Sequence, residues 1–335
     1  LAHSNSGITV VGAGAIGGLI AARLARAGET VNVLARGAQL EAIRREGLTV
    51  VEGETRYTVR VNATDNAAAL GPQNLVLVCL KGQALVQAAA SLGALVGPHT
   101  HIVSAMNGVP WWFLNAFGGA YANGRLEAVD PGGVVSAALP PAQASGCVVH
   151  LSSSIAAPGT IRKGNGNLLI VGASAPHLAD QAEETRALLA RAGFEVVAPA
   201  SIQGEIWAKL WGNMTMNPIS ALTRSTADVI LDDPLTAGLV AAVMLEARAI
   251  GEAIGIALSM TVEERSAITR KLGAFKTSML QDVEAGRSLE VEALLGAPYE
   301  LAQRAGVAAP SLGMLYGLAR QLDVNLEAMR RSPDQ

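Results

Sequence analysis

Aromatic residues make up only 4% of this 335-residue chain, although 50% of it is hydrophobic. The interior must therefore be built from Ala, Val, Leu and Ile. Charge is also scarce, at 16% of residues with a formal net charge of -3. No basic patch dominates, which argues against nucleic acid as a partner. Long apolar runs are missing too. The run from 235 to 245 is cut short by Glu246 and Arg248, well below the ~20 residues a bilayer needs, so no membrane partner is expected. Residues 1–7 lack the charged and apolar regions of a signal peptide and read as a disordered lead-in. There are two cysteines, Cys79 and Cys147, with no C-x-x-C spacing. They read as buried thiols of a reducing compartment, with the cytoplasm as default. The five histidines, at 3, 99, 101, 150 and 177, have no metal-ligand spacing, so no metal is expected. His99 and His101 flank a strand start and read as structural. There is no G-x-S-x-G elbow and no P-loop.

Glycine, by contrast, is abundant, with 36 residues. A short apolar strand, Ile8 to Val11, runs into Gly12, Ala13, Gly14, Ala15, Ile16 and Gly17, and a helical pattern follows. This is a GxGxxG turn in its proper context. Gly12 makes the tight turn, Gly14 admits a pyrophosphate to the backbone, and Gly17 lets helix and strand pack closely. The phosphates would then lie on free N–H groups at the positive end of the helix. A dinucleotide site is expected. Strand two ends in Leu34, Ala35 and Arg36, with no acid for the ribose hydroxyls of NAD. The Arg36 guanidinium suits a 2′-phosphate, and Lys81, at the end of a strand over 75–80, could add a second charge. NADPH is favoured over NADH, although both cations could also be ordinary strand-end residues.

The length suits about two domains. Strands are suggested at 8–11, 31–35, 48–51, 57–61, 75–80, 101–104, 126–129, 147–151, 168–171 and 194–197. Helices fit 16–27, 38–46, 82–96 and 176–192. Such alternation implies an α/β, mostly parallel sheet wrapped on both faces, with an antiparallel extension around 126–171. This places an N-terminal Rossmann-type dinucleotide-binding domain at 7–200. Beyond it only helical periodicity remains, at 201–217, 219–224, 234–255, 261–273, 290–305 and 310–322, giving an all-α C-terminal domain at 201–325. The cleft between the domains is the expected meeting place of substrate and nicotinamide. The apolar run over 234–245 would suit a homodimer interface.

On the helix over 201–217, Ile206, Leu210 and Met214 form an apolar stripe supported by Trp207 and Trp211. Lys209, Asn213 and Asn217 recur every four residues on an adjacent face. Asparagine is a poor interior helix former, so this face fits either a catalytic lysine with two orienting amides or a solvated stripe. Pro218 should bend or end the helix. Of Glu290 and Glu292, at most one can point into a cleft, where a carboxylate could hold the lysine ammonium; solvated glutamates fit equally. Asn107 could bond a cofactor carboxamide or ribose, or form an Asx turn before Gly108.

Together these pieces resemble the ketopantoate reductase (2-dehydropantoate 2-reductase) family. The likeness extends from Ile8 to about Leu322. It is carried by GAGAIGG at 12–18, Arg36, Leu80-Lys81, Met106-Asn107-Gly108, WAKLWGNMTMNP at 207–218, TSMLQD at 277–282 and GRSLEVE at 286–292. The resemblance implies an NADPH-dependent reductase of a small 2-keto acid, ketopantoate first, in the pantothenate pathway. Lys209 would be the general acid, with Glu290 as the acidic residue beside it. Asn213, Asn217 and Ser278 would hold the substrate. The residues 12–17, Arg36, Lys81 and Asn107 would serve the cofactor. Two departures, Trp111-Trp112 after the Asn107 motif and Lys163 where many relatives carry histidine, leave another 2-keto acid as the alternative substrate. A non-catalytic NADPH sensor is a third reading, but it has no use for Lys209, Asn213, Asn217 and Glu290 together.

Overall fold

Short runs of β-branched and aliphatic residues, each closed by a turn or a helix start, form the sheet of the N-terminal half. In the computed structural model residues 7–331 are described; residues 1–6, to which most of the lead-in expectation applies, lie outside the described residues. The ten strands are β1 (Ile8–Val11), β2 (Val31–Leu34), β3 (Leu48–Glu52), β4 (Thr55–Val59), β5 (Asn62–Thr64), β6 (Leu75–Val78), β7 (His101–Ser104), β8 (Ala144–Ala157), β9 (Thr160–Ala173) and β10 (Glu195–Val197). They form one sheet in the order β4-β3-β9-β8-β7-β6-β1-β2-β5, with β10 paired to β9. The pairs β1–β2, β1–β6, β2–β5, β6–β7 and β7–β8 are parallel. The long hairpin β8–β9 and the pair β3–β4 are antiparallel. This is an α/β domain. Because β1 feeds β2 on one side and meets β6 on the other, the strand order reverses at its C-terminal end, where doubly wound sheets open a crevice.

The helices here are α1 (Ala15–Arg26), α2 (Gly37–Glu46), α3 (Gly82–Leu92), the short α4 (Val134–Ala138) and α5 (Ala179–Arg191). Val10, Val33, Leu77, Val103 and Val171 from the strands pack with Leu19, Ile20 and Leu24 of α1 in one aliphatic core. Scarce aromatics are buried as well, among them Trp111, Trp112 and Phe113. The Trp111 indole N–H donates to the Leu139 carbonyl and that of Trp112 to Ser104 Oγ, each at 2.9 Å. His101 is also buried, between Thr185 Oγ1 at 3.1 Å and Ser145 Oγ at 2.8 Å. Burial pulls its pKa down to about 4. Lys163 pairs with Glu52 at 3.2 Å, which Arg23 also grips at 2.8 Å. Burial would raise the Glu52 carboxyl, but the two cations outweigh it and hold it below its ordinary range. Cys79 and Cys147 are free thiols.

The chain divides into two compact units, the first holding this sheet. The second comprises Asn107–Val109, Leu126–Val129 and everything from Ile206 onward. Its helices are α6 (Ile202–Thr223, entering from the first unit), α7 (Ala227–Asp232), α8 (Pro234–Ile254), α9 (Val262–Arg270), α10 (Ser278–Glu284), α11 (Ala297–Ala305) and α12 (Pro310–Arg331). No described helix is long and apolar enough to cross a membrane.

Two local expectations fail. Residues 126–129 are not a strand; the Glu300 carboxylate accepts from the N–H groups of Glu127 and Ala128, each at 3.0 Å, which replaces a ladder partner. Pro218 does not end its helix, since α6 continues through it to Thr223. A proline forfeits one N–H bond, to the carbonyl four residues earlier. The buried Ile219, Ser220 and Ala221 hold the final turn in place, and Ser220 Oγ returns a bond to the Asn217 carbonyl at 3.2 Å.

Candidate functional site

In the first unit a cleft of about 410 Å³ opens at the C-terminal end of β1. Gly12, Ala13, Gly14 and Arg36 line it, with Gln39, Asp65, Leu80 and Ile155. The glycines divide their tasks by geometry. Gly12 has φ +98°, and a Cβ there would fall 2.7 Å from Leu80 Cδ2 and 3.0 Å from the Cys79 carbonyl oxygen. A Cβ on Gly17 would lie 2.0 Å from the Gly12 carbonyl oxygen, so this glycine lets α1 pack on the turn. Gly14 is different: nothing lies within 4 Å of its would-be Cβ. It borders open space, and no side chain caps the start of α1 after it. A bare helix N-terminus beside open backbone fits the pyrophosphate of a dinucleotide.

Gln39 braces this turn, donating to the Ala13 carbonyl at 2.7 Å and accepting from Gly159 N–H at 2.8 Å. Arg36 is exposed at the start of α2. Ala15, Ile16 and Gly17 form the first turn of α1 behind the lining. Lys81 is half-buried at the start of α3, one residue beyond Leu80.

In the second unit, α6 is anchored before it is functional. Its indoles donate to carbonyls of α8, Trp207 to Ala247 at 3.3 Å and Trp211 to Met244 at 2.7 Å. Ile206, Leu210 and Met214 are buried, which turns the face of Lys209, Asn213 and Asn217 in a fixed direction. Lys209 Nζ donates to Asn107 Oδ1 at 2.9 Å. Asn107 Nδ2 in turn faces Glu290 Oε2 at 3.5 Å. Glu290 is 8% exposed, whereas Glu292 turns outward and accepts from Tyr316 O–H at 2.6 Å. Only the first of the two acids joins the cluster. Farther along α6, Asn217 Nδ2 reaches Ser278 Oγ at 3.5 Å. Ser278 opens α10, whose cap Thr277 bonds Ser220 at 2.5 Å and accepts from Leu280 N–H at 3.2 Å. Asn213 is half-buried on the same helix face.

The register of Asn107 has a specific cause. Residues Glu292–Gly296 form a π-turn, in which the Ala297 N–H reaches back to the Glu292 carbonyl. The Ala293 carbonyl thereby loses its α-helical donor, and the residue five ahead, Pro298, has no N–H to offer. Val109 N–H takes that carbonyl at 2.9 Å. The neighbouring Gly108 has φ +77°, and a Cβ there would sit 2.4 Å from the same oxygen. A proline and a glycine far apart in sequence thus fix Asn107 beside Glu290.

Family models for ketopantoate reductase PanE/ApbA match residues 8–110 and, for its C-terminal part, 201–323. A 2-dehydropantoate 2-reductase of Mesorhizobium japonicum is 40% identical over 318 residues, covering 95% of this chain and 98% of that protein. The chain belongs to the ketopantoate reductase PanE/ApbA family. It is thereby an oxidoreductase of the 2-dehydropantoate 2-reductase type. A solved structure from Ralstonia solanacearum MolK2 that carries a ketopantoate reductase assignment is 48% identical, with TM-score 0.89, covering 95% of this chain and 98% of the other. A D-mandelate dehydrogenase solved with NADH and anilino(oxo)acetate shares the fold alone, at 17% identity and TM-score 0.82 over 96% of this chain and 99% of the other.

In this ketopantoate reductase relative, several contributors escaped sequence reasoning. Gln39, Asp65 and Ile155 come from a helix, a strand end and a distant hairpin, and no motif announces them. Pro298 did carry a signal: a proline in the middle of the helix predicted over 290–305 removes a donor, and the freed carbonyl must find another.

Proposed function

We propose that this enzyme reduces a small 2-keto acid with NADPH, and that ketopantoate is its substrate. The single observation that carries the reading is the Lys209–Asn107–Glu290 arrangement. A ketone receiving hydride develops negative charge on oxygen, and a positioned ammonium both stabilises that charge and donates a proton. Asn107 fixes the Lys209 ammonium through Oδ1 at 2.9 Å. Buried Glu290 orients Asn107 and supplies the negative charge that keeps a cation there. Asn213, Asn217 and Ser278 would hold the polar groups of the substrate.

The bound dinucleotide would supply the hydride. Gly12, Ala13 and Gly14 would seat its pyrophosphate against the first turn of α1, formed by Ala15, Ile16 and Gly17. Arg36 would meet a 2′-phosphate, with Lys81 adding charge nearby. The first unit would serve as the NADP-binding domain over 7–200 and the helical unit as the substrate domain over 201–325. A homodimer through the helical unit draws support from the exposed Leu235 and Leu245 on α8. Two free thiols suit the reducing cytoplasm.

A second reading keeps the mechanism and changes the acid. The shared fold with a D-mandelate dehydrogenase favours testing aryl and branched 2-keto acids beside ketopantoate. The experiment follows absorbance of NADPH and NADH with purified enzyme and a panel of such acids. Ketopantoate turned over with NADPH far faster than the others is the expected result. Preference for another acid would move the substrate, and NADPH binding without turnover of any acid would favour a sensor.

A further inference from the structure

Most arginines of the second unit have evident partners: Arg270 pairs with Asp232, Arg287 with Asp282, Arg304 with Glu300, and Arg331 with Glu327. Half-buried Arg248 donates to the Met260 carbonyl and lies over the Trp211 ring. Arg265 is also half-buried, yet its guanidinium meets no carboxylate and no carbonyl acceptor among the described residues. Burial lowers its pKa with no counter-charge acting against it. Its guanidinium keeps some contact with water, and a partly desolvated cation with no protein acceptor gains more than an exposed one from an anion that arrives to pair with it.

Its placement is built, not incidental. A capping box between Thr261 and Glu264 fixes the first turn of α9, from which Arg265 projects. The guanidinium lies against α6 at Gly212: a Cβ there would stand 2.3 Å from Nη2, 2.9 Å from Cζ and 3.0 Å from Nε. Glycine inside a helix is less favourable than alanine, and here it clears the space the guanidinium occupies. Gly212 is three residues past Lys209 and one before Asn213, and residues three and four apart on a helix are surface neighbours. Arg265 therefore packs on the helix neighbour of Lys209, one turn along α6.

We propose that Arg265, admitted by Gly212, binds the carboxylate of the 2-keto acid substrate. Its planar fork matches a carboxylate in two parallel bonds, which a lysine cannot reproduce. A 2-keto acid carries its carboxylate next to the carbonyl that Lys209 would protonate, so two cations could receive two adjacent oxygen groups. The inference rests on the proposed 2-keto acid reduction and adds a specificity determinant to it.

The test compares a 2-keto acid with its uncharged methyl ester. For Arg265→Ala, KM for the acid should rise roughly 10- to 100-fold while kcat stays within about threefold. KM for the ester should hold. Arg265→Lys should recover part of the loss, and Gly212→Ala, which displaces the guanidinium, should reproduce a smaller KM increase. Equal KM changes for acid and ester, or a fall in kcat at unchanged KM, would overturn the assignment. Calorimetric titration with 2-ketoisovalerate separates the two claims. Binding to the native enzyme that Arg265→Ala abolishes supports the subsite even where turnover is slow. Binding that Arg265→Ala leaves intact rejects the subsite alone, and no binding of any 2-keto acid to the native enzyme rejects it together with the proposed reaction.

Discussion

In the first unit the cleft opens on a glycine turn whose shape depends on the Cβ atoms that Gly12 and Gly17 lack; in the second the polar cluster is all side chain, drawn from residues 107, 209 and 290. The first kind of site depends on chain geometry at a few adjacent positions. The second depends on helices and loops that converge from distant segments, each held by its own device: the α6 indoles on α8 carbonyls, the Thr277 cap, and the π-turn that captures residues 107–109. Backbone sites tolerate almost any neighbour but no added atom. Side-chain sites tolerate local changes but fail when a distant support moves.

The largest test of that contrast is Gly17→Ala. Its Cβ would lie 2.0 Å from the Gly12 carbonyl oxygen, so backbone must shift, at roughly 3–5 kcal/mol of stability. Denaturant melts should show that loss, and NADPH binding should fall with it. Acid should next separate the units, because all four described histidines belong to the first. His101 has a folded pKa of about 4 against 6.5 unfolded, so the unfolded chain binds more protons between those values. Stability is then complete above pH 6.5 and declines as pH falls toward 4, by roughly 2–3 kcal/mol in all. Denaturant melts across this range should show the decline, and His101→Gln should flatten that part of it.

Arg36→Ala sharpens the cleft itself. Losing charge-assisted bonds to a 2′-phosphate should weaken NADPH about 10- to 100-fold and leave NADH nearly unchanged, as measured by fluorescence titration. The smallest effect is expected from Pro298→Ala. Restoring an N–H lets the helix reclaim the Ala293 carbonyl, which loosens Asn107. Turnover should drop about tenfold, roughly 1.4 kcal/mol, with stability equal or improved.

How much of this was legible beforehand follows the same contrast. The strand–glycine–helix turn is local, so Ile8 to Gly17 announced their geometry, and the later helical pattern announced an all-α unit. Residues 126–129 misled because a short aliphatic run looks like a strand when the carboxylate that satisfies its N–H groups is 173 residues away. Pro218 misled because propensity describes a lone helix, and α6 is held by burial on both sides of it. The spacing of Lys209, Asn213 and Asn217 was visible, but their partners Asn107, Glu290 and Ser278 were reached through family resemblance. No periodicity connects them. Arg265 gave no signal at all, since an arginine near the start of a polar helix resembles any other until its missing partner is seen.

The most direct test of the central claim is Lys209→Ala, with ketopantoate turnover and NADPH affinity measured on the same preparation. Because the cleft and the polar cluster are built from separate residues, kcat should fall about 10²- to 10⁴-fold with NADPH affinity unchanged. Near-normal turnover would contradict the claim, and so would loss of NADPH binding in step with activity.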